Sequence, residues 1–365
     1  MVREPTMTGH NLKDFLESGA FLQTGPNRFK VLLGPFKRQS TFSAGGVQLY
    51  KPHFWSFLQN SDEQNHVYEC SDSLNLSGNE FANWLKSLPY REARMNWQLP
   101  DQDGFSEQFR WSQEMFSAEE LVKTVPIIVQ SGEWSGHTAE LVHILLNLLE
   151  KQSFGWSYGF FDQGCGFIGR SPELMAQWRV GERFNTTALA GTMPQAEFAA
   201  PSILSDRKIR EEHAIVIEDI RQQMSTLSPE LVVAETEILE LPLLIHLKTD
   251  MSCKIENRSQ CMKLINRLHP TAAMGLYPRT PQKMKTFSEF KLQQLRSDFA
   301  APFVIVEPDE VFGVIAIRNL SFNRGQAKIF SGCGVTAMSN LDSELTELKS
   351  KRQSVKKMLG LHVNE

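Results

Sequence analysis

The chain has 365 residues, 41% apolar and 22% charged, with a formal charge of −4. That suffices to bury one large core or two small ones, and it lacks the basic excess that would point to nucleic acid or an anionic membrane. Five scattered cysteines (Cys70, Cys165, Cys253, Cys261, Cys333) form no CxxC pair, which argues against a zinc ribbon or disulfide framework and fits a reducing compartment. The N-terminal stretch has no apolar core of signal type, and no later run is long enough to span a membrane. A cytoplasmic protein is expected.

Residues 1–110 read as short strands and turns rich in aromatic side chains. Strands are expected at Phe29–Leu33 and Val47–Tyr50, and a helix at Asn79–Leu88 with Phe81, Trp84 and Leu85 on one face. Asp101–Phe105 is polar, contains a glycine and reads as a joint. Ser117–Val122 reads as a short helix with a serine cap, followed by a strand over Lys123–Val129. Alternation puts Lys123, Val125 and Ile127 on one side of that strand. By itself such a lysine belongs at a solvated strand end, the alternative being an amine pushed toward neutrality by desolvation.

His137–Lys151 is a helix striped by Leu141, Leu145 and Leu148, and Phe154–Ile168 is a pair of strands turning at Asp162-Gln163-Gly164. Ser171-Pro172 breaks regular structure and holds Glu173 at a defined point beside Leu174 and Met175. A carboxyl against an apolar wall keeps its proton and suits a general acid, whereas the plain reading is a loop glutamate in water. Glu182–Leu189 is a strand ending in Ala190-Gly191-Thr192, where glycine lets a ligand approach the backbone.

Ser205–Thr226 is an amphipathic helix striped by Ile209, Val216, Ile220 and Met224. Glu212 points along that stripe, so it needs a cation, such as an interhelical salt-bridge partner, a metal or several donors. Leu231–Leu239 is strand-like and Cys261–Leu268 helical. His269–Pro278 is a loop stiffened by two prolines, where a histidine is either structural or placed for a ligand. Phe287–Asp298 reads as a helix. Phe312–Phe322 and Gln326–Ser331 read as a hairpin with Arg318 in mid-strand, where an inward arginine needs an anion. Gly332-Cys333-Gly334 opens a backbone that can donate amides to a carboxylate. In the last helix, Leu341–Leu359, the buried stripe is Leu341, Leu345, Leu348 and Val355. Glu344, Glu347 and Lys351 share another face, and Glu347 with Lys351 makes an i,i+4 pair worth about 0.3–0.5 kcal/mol.

Eight motifs now stand in order: SPEL at Ser171, ALAGT at Ala188, KIREEH at Lys208, LIHLKT at Leu244, LHPTAAMG at Leu268, AIR ending at Arg318, SGCGV at Ser331, and ExxExxxK from Glu344 to Lys351. With them the chain resembles the chorismate-utilising enzymes: isochorismate, salicylate and anthranilate synthases and aminodeoxychorismate synthase component I. The resemblance covers Lys123 to Leu359, roughly two-thirds of the chain. A weaker likeness to an N-terminal motif of anthranilate synthases lies at Phe15-Leu16-Glu17-Ser18.

The resemblance implies an α+β fold of two stacked, mostly antiparallel β-sheets flanked by outer helices. In it, residues 1–110 would be a variable part of the same unit and 111–365 the chorismate-binding core. It implies Mg²⁺ held by Glu212 and Glu347, which would fix the ring carboxylate of chorismate. Arg318, Lys351 and the backbone at Cys333 and Gly334 would hold the enolpyruvyl carboxylate. Gly191, Thr192, His269, Ala273 and Met274, joined by Phe299, would line the ring. The ammonia-using members carry a glutamine form where this chain has Lys123-Thr-Val-Pro-Ile-Ile. Lysine marks the water-using members, so Lys123, desolvated between Val122 and Val125, is expected to activate water while Glu173 protonates the leaving C4 hydroxyl. The product would be isochorismate, destined for a quinone or a siderophore, with no obligatory glutaminase subunit.

Five positions depart from the family pattern. Phe299-Ala-Ala-Pro-Phe-Val304 lacks both usual glycines, and Leu345, Ala272 and Cys333 replace a tryptophan, a proline and an alanine. Bulk at Ala301 and Val304 is expected to tighten the pocket or alter its chemistry. The competing readings are a salicylate synthase, an ammonia-using synthase and a non-catalytic chorismate-binding homologue.

Overall fold

The computed structural model describes residues 9–58, 66–151, 154–195, 202–241 and 243–362, apart from the side chains of 9–11 and 202. Residues 1–8, part of the stretch read for a targeting signal, lie outside these. Two large sheets dominate. In the nine-stranded sheet the spatial order is Asp72–Ser77, Arg28–Leu33, Ser18–Gly25, Trp156–Asp162, Cys165–Ser171, Asn319–Asn323, Gln326–Gly332, Ile127–Trp134 and Met95–Trp97. The ten-stranded sheet runs Leu231–Val233, Leu244–Cys253, Phe184–Pro194, Leu174–Arg179, Glu310–Ile315, Pro302–Val306, Gln48–Tyr50, Val67–Glu69 and Lys37–Gln39, with Glu237–Glu240 also paired to Leu244–Cys253. The strand pairs are antiparallel. Tight turns with left-handed residues close two of the hairpins, at Gln163-Gly164 (φ 48° and 79°) and Arg324-Gly325 (φ 40° and 90°).

Alternation along Ser18–Gly25 shows how the layers form. Ala20 and Leu22 join a core with Leu49, Phe303, Ile305 and Val314 of the other sheet, while Phe21 between them joins a second core with the helices outside. Each face of that strand is buried, so its sequence is apolar in consecutive positions. The fold is α+β, with the sheets packed face to face and helices covering them.

Several elements depart from the sequence reading. The expected joint at Asp101–Phe105 begins a helix, Gln102–Ser117, whose N-cap is Asp101 (Oδ1 accepting the Gly104 amide at 2.9 Å). Ser117 therefore ends a helix instead of starting one. The pattern was hidden because polar Gln108 and Ser112 lie on its buried face, and Gln108 Nε2 donates to Ile127 O at 3.0 Å. Pro126 divides the expected strand into Lys123–Thr124 and Ile127–Trp134. Phe287–Asp298 is instead two short helices, Pro281–Ser288, with proline in its first turn, and Lys291–Gln294. Leu231–Leu239 is two strands rather than one. The expected long strand Phe312–Phe322 divides into Glu310–Ile315 and Asn319–Asn323, which belong to different sheets. Arg318 sits at the crossing with φ 56°, not in mid-strand.

Candidate active site

Two of the crossings between the sheets lie side by side. Pro172 and Glu173 join strand Cys165–Ser171 of one sheet to Leu174–Arg179 of the other, and Ala316–Arg318 make the return crossing. The two joins are tied together: the Ile315 amide donates to Glu173 O at 3.1 Å and the Arg170 amide to Arg318 O at 3.3 Å. A carboxyl and a guanidinium are thus fixed at the seam, where sheet pairing ends and a cleft opens. Lys123 reaches the same cleft from a two-residue strand paired with Leu276–Tyr277. The empty space between the walls is about 690 Å³, its open mouth included.

Lys123 is 1% exposed, so the expected solvated strand end is wrong. Its Nζ donates to Ala272 O at 2.7 Å and lies 3.4 Å from Glu212 Oε1. Val122, expected to desolvate it, is itself 49% exposed; the cover comes from Ala272 and Glu212, distant in sequence. Glu173 is equally buried, and its Oε2 has no hydrogen-bond partner. Burial pushes its pKa up to about 8, with Lys123 and Lys351 pulling the other way. It is a neutral acid at pH 7 with an O–H to donate.

A cationic side of the cleft faces these groups. Lys351 Nζ donates to Gly332 O at 2.7 Å and pairs with Glu347 Oε1 at 2.6 Å. Burial lowers the Arg318 pKa to about 10 despite the Glu347 charge, which leaves it a cation. Its Nη2 is 3.4 Å from His246 Nε2, and His246 Nδ1 is 3.0 Å from Thr192 Oγ1. Burial, then Arg318 and Lys351, hold the imidazole well below its ordinary pKa, so His246 is neutral here.

Lys123, Glu173, Thr192, Glu212, Ala273, Met274, Phe299, Arg318, Gly334 and Lys351 line the cleft. Gly191, His269, Cys333 and Glu347 do not. Gly191 (φ 73°) forms a bulge in strand Phe184–Pro194, and what comes close to it is the next helix: a Cβ there would stand 2.8 Å from Ile209 O. His269 Nε2 is bonded to Phe54 O at 2.8 Å beneath the Phe54 ring, so it braces its loop. The Cys333 amide is turned to Pro126 O at 3.4 Å and its thiol is buried. Glu347 is held against Lys351. The site gains His246 and Arg296, which the sequence reading did not single out. His246 was visible inside the LIHLKT motif; Arg296 was taken for part of a charged helix.

Ala301 and Val304 are also absent from the wall, contrary to the expected tightening. Val304 packs on Gly313 across the strand pair, where a Cβ at Gly313 would lie 2.9 Å from Val304 Cβ. A glycine facing it takes up the added bulk.

Mg²⁺ is tested by the donor set. Glu212 and Glu347 come from separate helices, and both act on the ammonium of Lys208, which is bonded to Glu344 at 2.5 Å. Carboxylates converging on one cation present hard oxygen donors, and Mg²⁺ needs only one or two of them beside water and substrate oxygen. Among the described residues no three His, Cys, Asp or Glu side chains form a closed metal cage. Glu212 and Glu347, from separate helices, are the hard oxygen donors that the expected Mg²⁺ would draw on.

A family model described as chorismate binding enzyme matches residues 57–360. The salicylate biosynthesis isochorismate synthase of Pseudomonas aeruginosa is 29% identical over 227 residues, 60% of this chain and 46% of that protein. Isochorismate synthase EntC of Escherichia coli is 27% identical over 218 residues, 56% of this chain and 55% of that one. The chain therefore spans about half the length of the curated relatives it matches. In fold it is similar to MenF, the menaquinone-specific isochorismate synthase of E. coli, with a TM-score of 0.76 at 17% identity over 98% of this chain and 92% of that one. Anthranilate synthase component I of Streptococcus pneumoniae gives 0.63 at 13% identity, covering 94% and 92%.

Proposed function

The chain belongs to the chorismate-binding enzyme family, and from that premise we propose that it is an isochorismate synthase that adds water at C2 of chorismate and expels the C4 hydroxyl. The observation that carries this reading is the buried pair of Lys123 and Glu173 opening on one cleft. An amine that takes a proton and a carboxyl that still holds one are the two groups such an exchange needs. Lys123 removes a proton from the attacking water as its oxygen bonds to C2. Both ring double bonds shift by one position, the C4–O bond breaks, and Glu173 delivers its proton so that water leaves. Atoms balance as an isomerisation.

Arg318, Lys351 and Gly334 take the enolpyruvyl carboxylate, while Thr192, Ala273 and Met274 bound the ring. Glu212 and Glu347 would hold Mg²⁺, which would neutralise the ring carboxylate and fix its place. Glu212 Oε1 also lies 3.4 Å from Lys123 Nζ, so it links the metal site to the base.

The test is incubation of the protein with chorismate and Mg²⁺, beside a chelator control, with products separated by HPLC and pyruvate assayed with lactate dehydrogenase. The expected result is a Mg²⁺-dependent isochorismate peak without pyruvate. Pyruvate with salicylate would make it a salicylate synthase, an aminated product formed only with ammonia would remove Lys123 from the base role, and no conversion would leave a binding protein. Lys123→Gln and Glu173→Gln are each expected to lower kcat by about 10²–10⁴-fold, with chorismate affinity by calorimetry nearly unchanged. Near-normal kcat in either removes that residue from the mechanism.

A further inference from the structure

Helix Arg207–Ser225 buries two carboxylates, Glu212 and Asp219. Seven residues is two turns, so both point the same way. Glu212 Oε1 lies 3.4 Å from Lys123 Nζ. Asp219 has no part in the chemistry proposed above, yet it is 1% exposed and tightly engaged. Its Oδ2 accepts the Ala272 amide at 2.7 Å, and its Oδ1 is 2.9 Å from Arg279 Nε. Arg279 Nη1 donates to the carbonyls of Arg267 and Pro270, each at 2.9 Å, closing the loop around the ion pair. Ala272 then turns its own carbonyl to Lys123 Nζ.

A lysine amine rides on a flexible stem with three rotatable donors and no direction of its own. Here both its polar partners trace to one helix face, directly through Glu212 and one residue removed through Asp219 and Ala272. We propose that Asp219, locked by Arg279, is a positioning residue for Lys123: it fixes the Ala272 carbonyl that aims the amine into the cleft. This rests on the reading of Lys123 as the base. A neutral side chain could anchor a loop, whereas a buried carboxylate needs a paired cation to be tolerated; Arg279 supplies it and immobilises the acceptor.

The same loop carries Ala273 and Met274 on the cleft wall, so a mere loop anchor would act on substrate affinity and stability. A positioning residue acts on kcat. In the full chain with Mg²⁺, Asp219→Ala is expected to lower kcat about tenfold or more while chorismate affinity changes less than about threefold. Asp219→Asn, which keeps an oxygen for the Ala272 amide, is expected to recover most of kcat. Wild-type kcat in folded Asp219→Ala, or a loss confined to KM and Tm, overturns the proposal. Should Asp219→Ala not fold, Arg279→Met decides: kcat reduced several-fold supports it and unchanged kcat overturns it. Wild-type protein that converts no chorismate defeats the functional reading separately. The positional claim is then read from the rate at which a small acylating reagent modifies Lys123, followed by peptide mass spectrometry. A several-fold change in Asp219→Ala or Arg279→Met with other lysines unaffected supports it, and equal rates overturn it.

Discussion

Glu173 carries a pH dependence of defined sign. Its pKa is about 8 in the fold against an ordinary 4.5, because burial penalises the carboxylate more than Lys123 and Lys351 favour it. The general acid must hold its proton, so turnover is expected to fall as pH rises through about 8, read as the alkaline limb of kcat/KM. Stability follows by linkage. Between pH 4.5 and 8 the unfolded chain has lost this proton and the folded chain keeps it, so this group's contribution falls with rising pH and levels off above 8. The Tm advantage of Glu173→Gln over wild type should therefore widen across that window; a difference that stays constant would mean an ordinary carboxylate. Gly334 predicts a second effect at this scale. A Cβ there would run into the Glu212 carboxylate and stand 2.8 Å from Lys123 Cε. Gly334→Ala should abolish turnover with little change in Tm, since the displaced atoms belong to the site and not to a core. The sequence located Glu173 well because Ser-Pro fixes it locally. Local alternation alone put Lys123 at a solvated strand end, because the amine's acceptor lies 149 residues away and no local pattern reports that contact.

Among the elements, helix Arg207–Ser225 was the most readable. Its stripe and length were plain, and its N-cap, Asp206, accepts the Ile209 amide at 2.9 Å. Glu212, His213 and Asp219 are all buried on it, which lowers the contrast between its faces. Asp206→Ala should cost about 1 kcal/mol of stability, the usual worth of a cap, measured by urea unfolding. Because the cap lies more than a turn and a half before Glu212, chorismate affinity should change little. The hairpin turn at Gln163-Gly164 was legible, although its strands run Trp156–Asp162 and Cys165–Ser171, past the expected end at Ile168. Strand limits were not legible at Ala316–Arg318, where one apolar run serves two sheets: Ile315 and Leu320 are both buried, but in different cores. A crossing between layers leaves the hydrophobic pattern unbroken, so only the positive φ of Arg318 marks it.

At the scale of the molecule, the stacked α+β sheets came from the resemblance; the strand list alone did not order them. The tertiary contacts also bear on whether the first 110 residues can be spared. Strand Ser18–Gly25 pairs with Trp156–Asp162 over five residues, and Gln48–Tyr50 extends the other sheet beside Pro302–Val306. Removing them would expose two strand edges and the core residues that share a cluster with Ala20, Leu22 and Leu49, among them Tyr158, Phe303 and Ile305. The same segment reaches the site. Phe54 lies under the Arg296 guanidinium at 3.5 Å and its carbonyl accepts from His269, while Arg296 Nη2 holds Met274 O at 2.7 Å on the cleft wall. A fragment beginning at residue 111 is therefore expected to show no cooperative thermal transition by circular dichroism and no turnover. A cooperative, active fragment would show that the later residues carry the reaction alone. The milder variant Phe54→Ala separates support of the site from folding as a whole. It should cost about 3–5 kcal/mol, and by loosening Arg296 and His269 together it should weaken chorismate binding more than it slows kcat, because what they brace is the wall bearing Met274 and not the Lys123 amine.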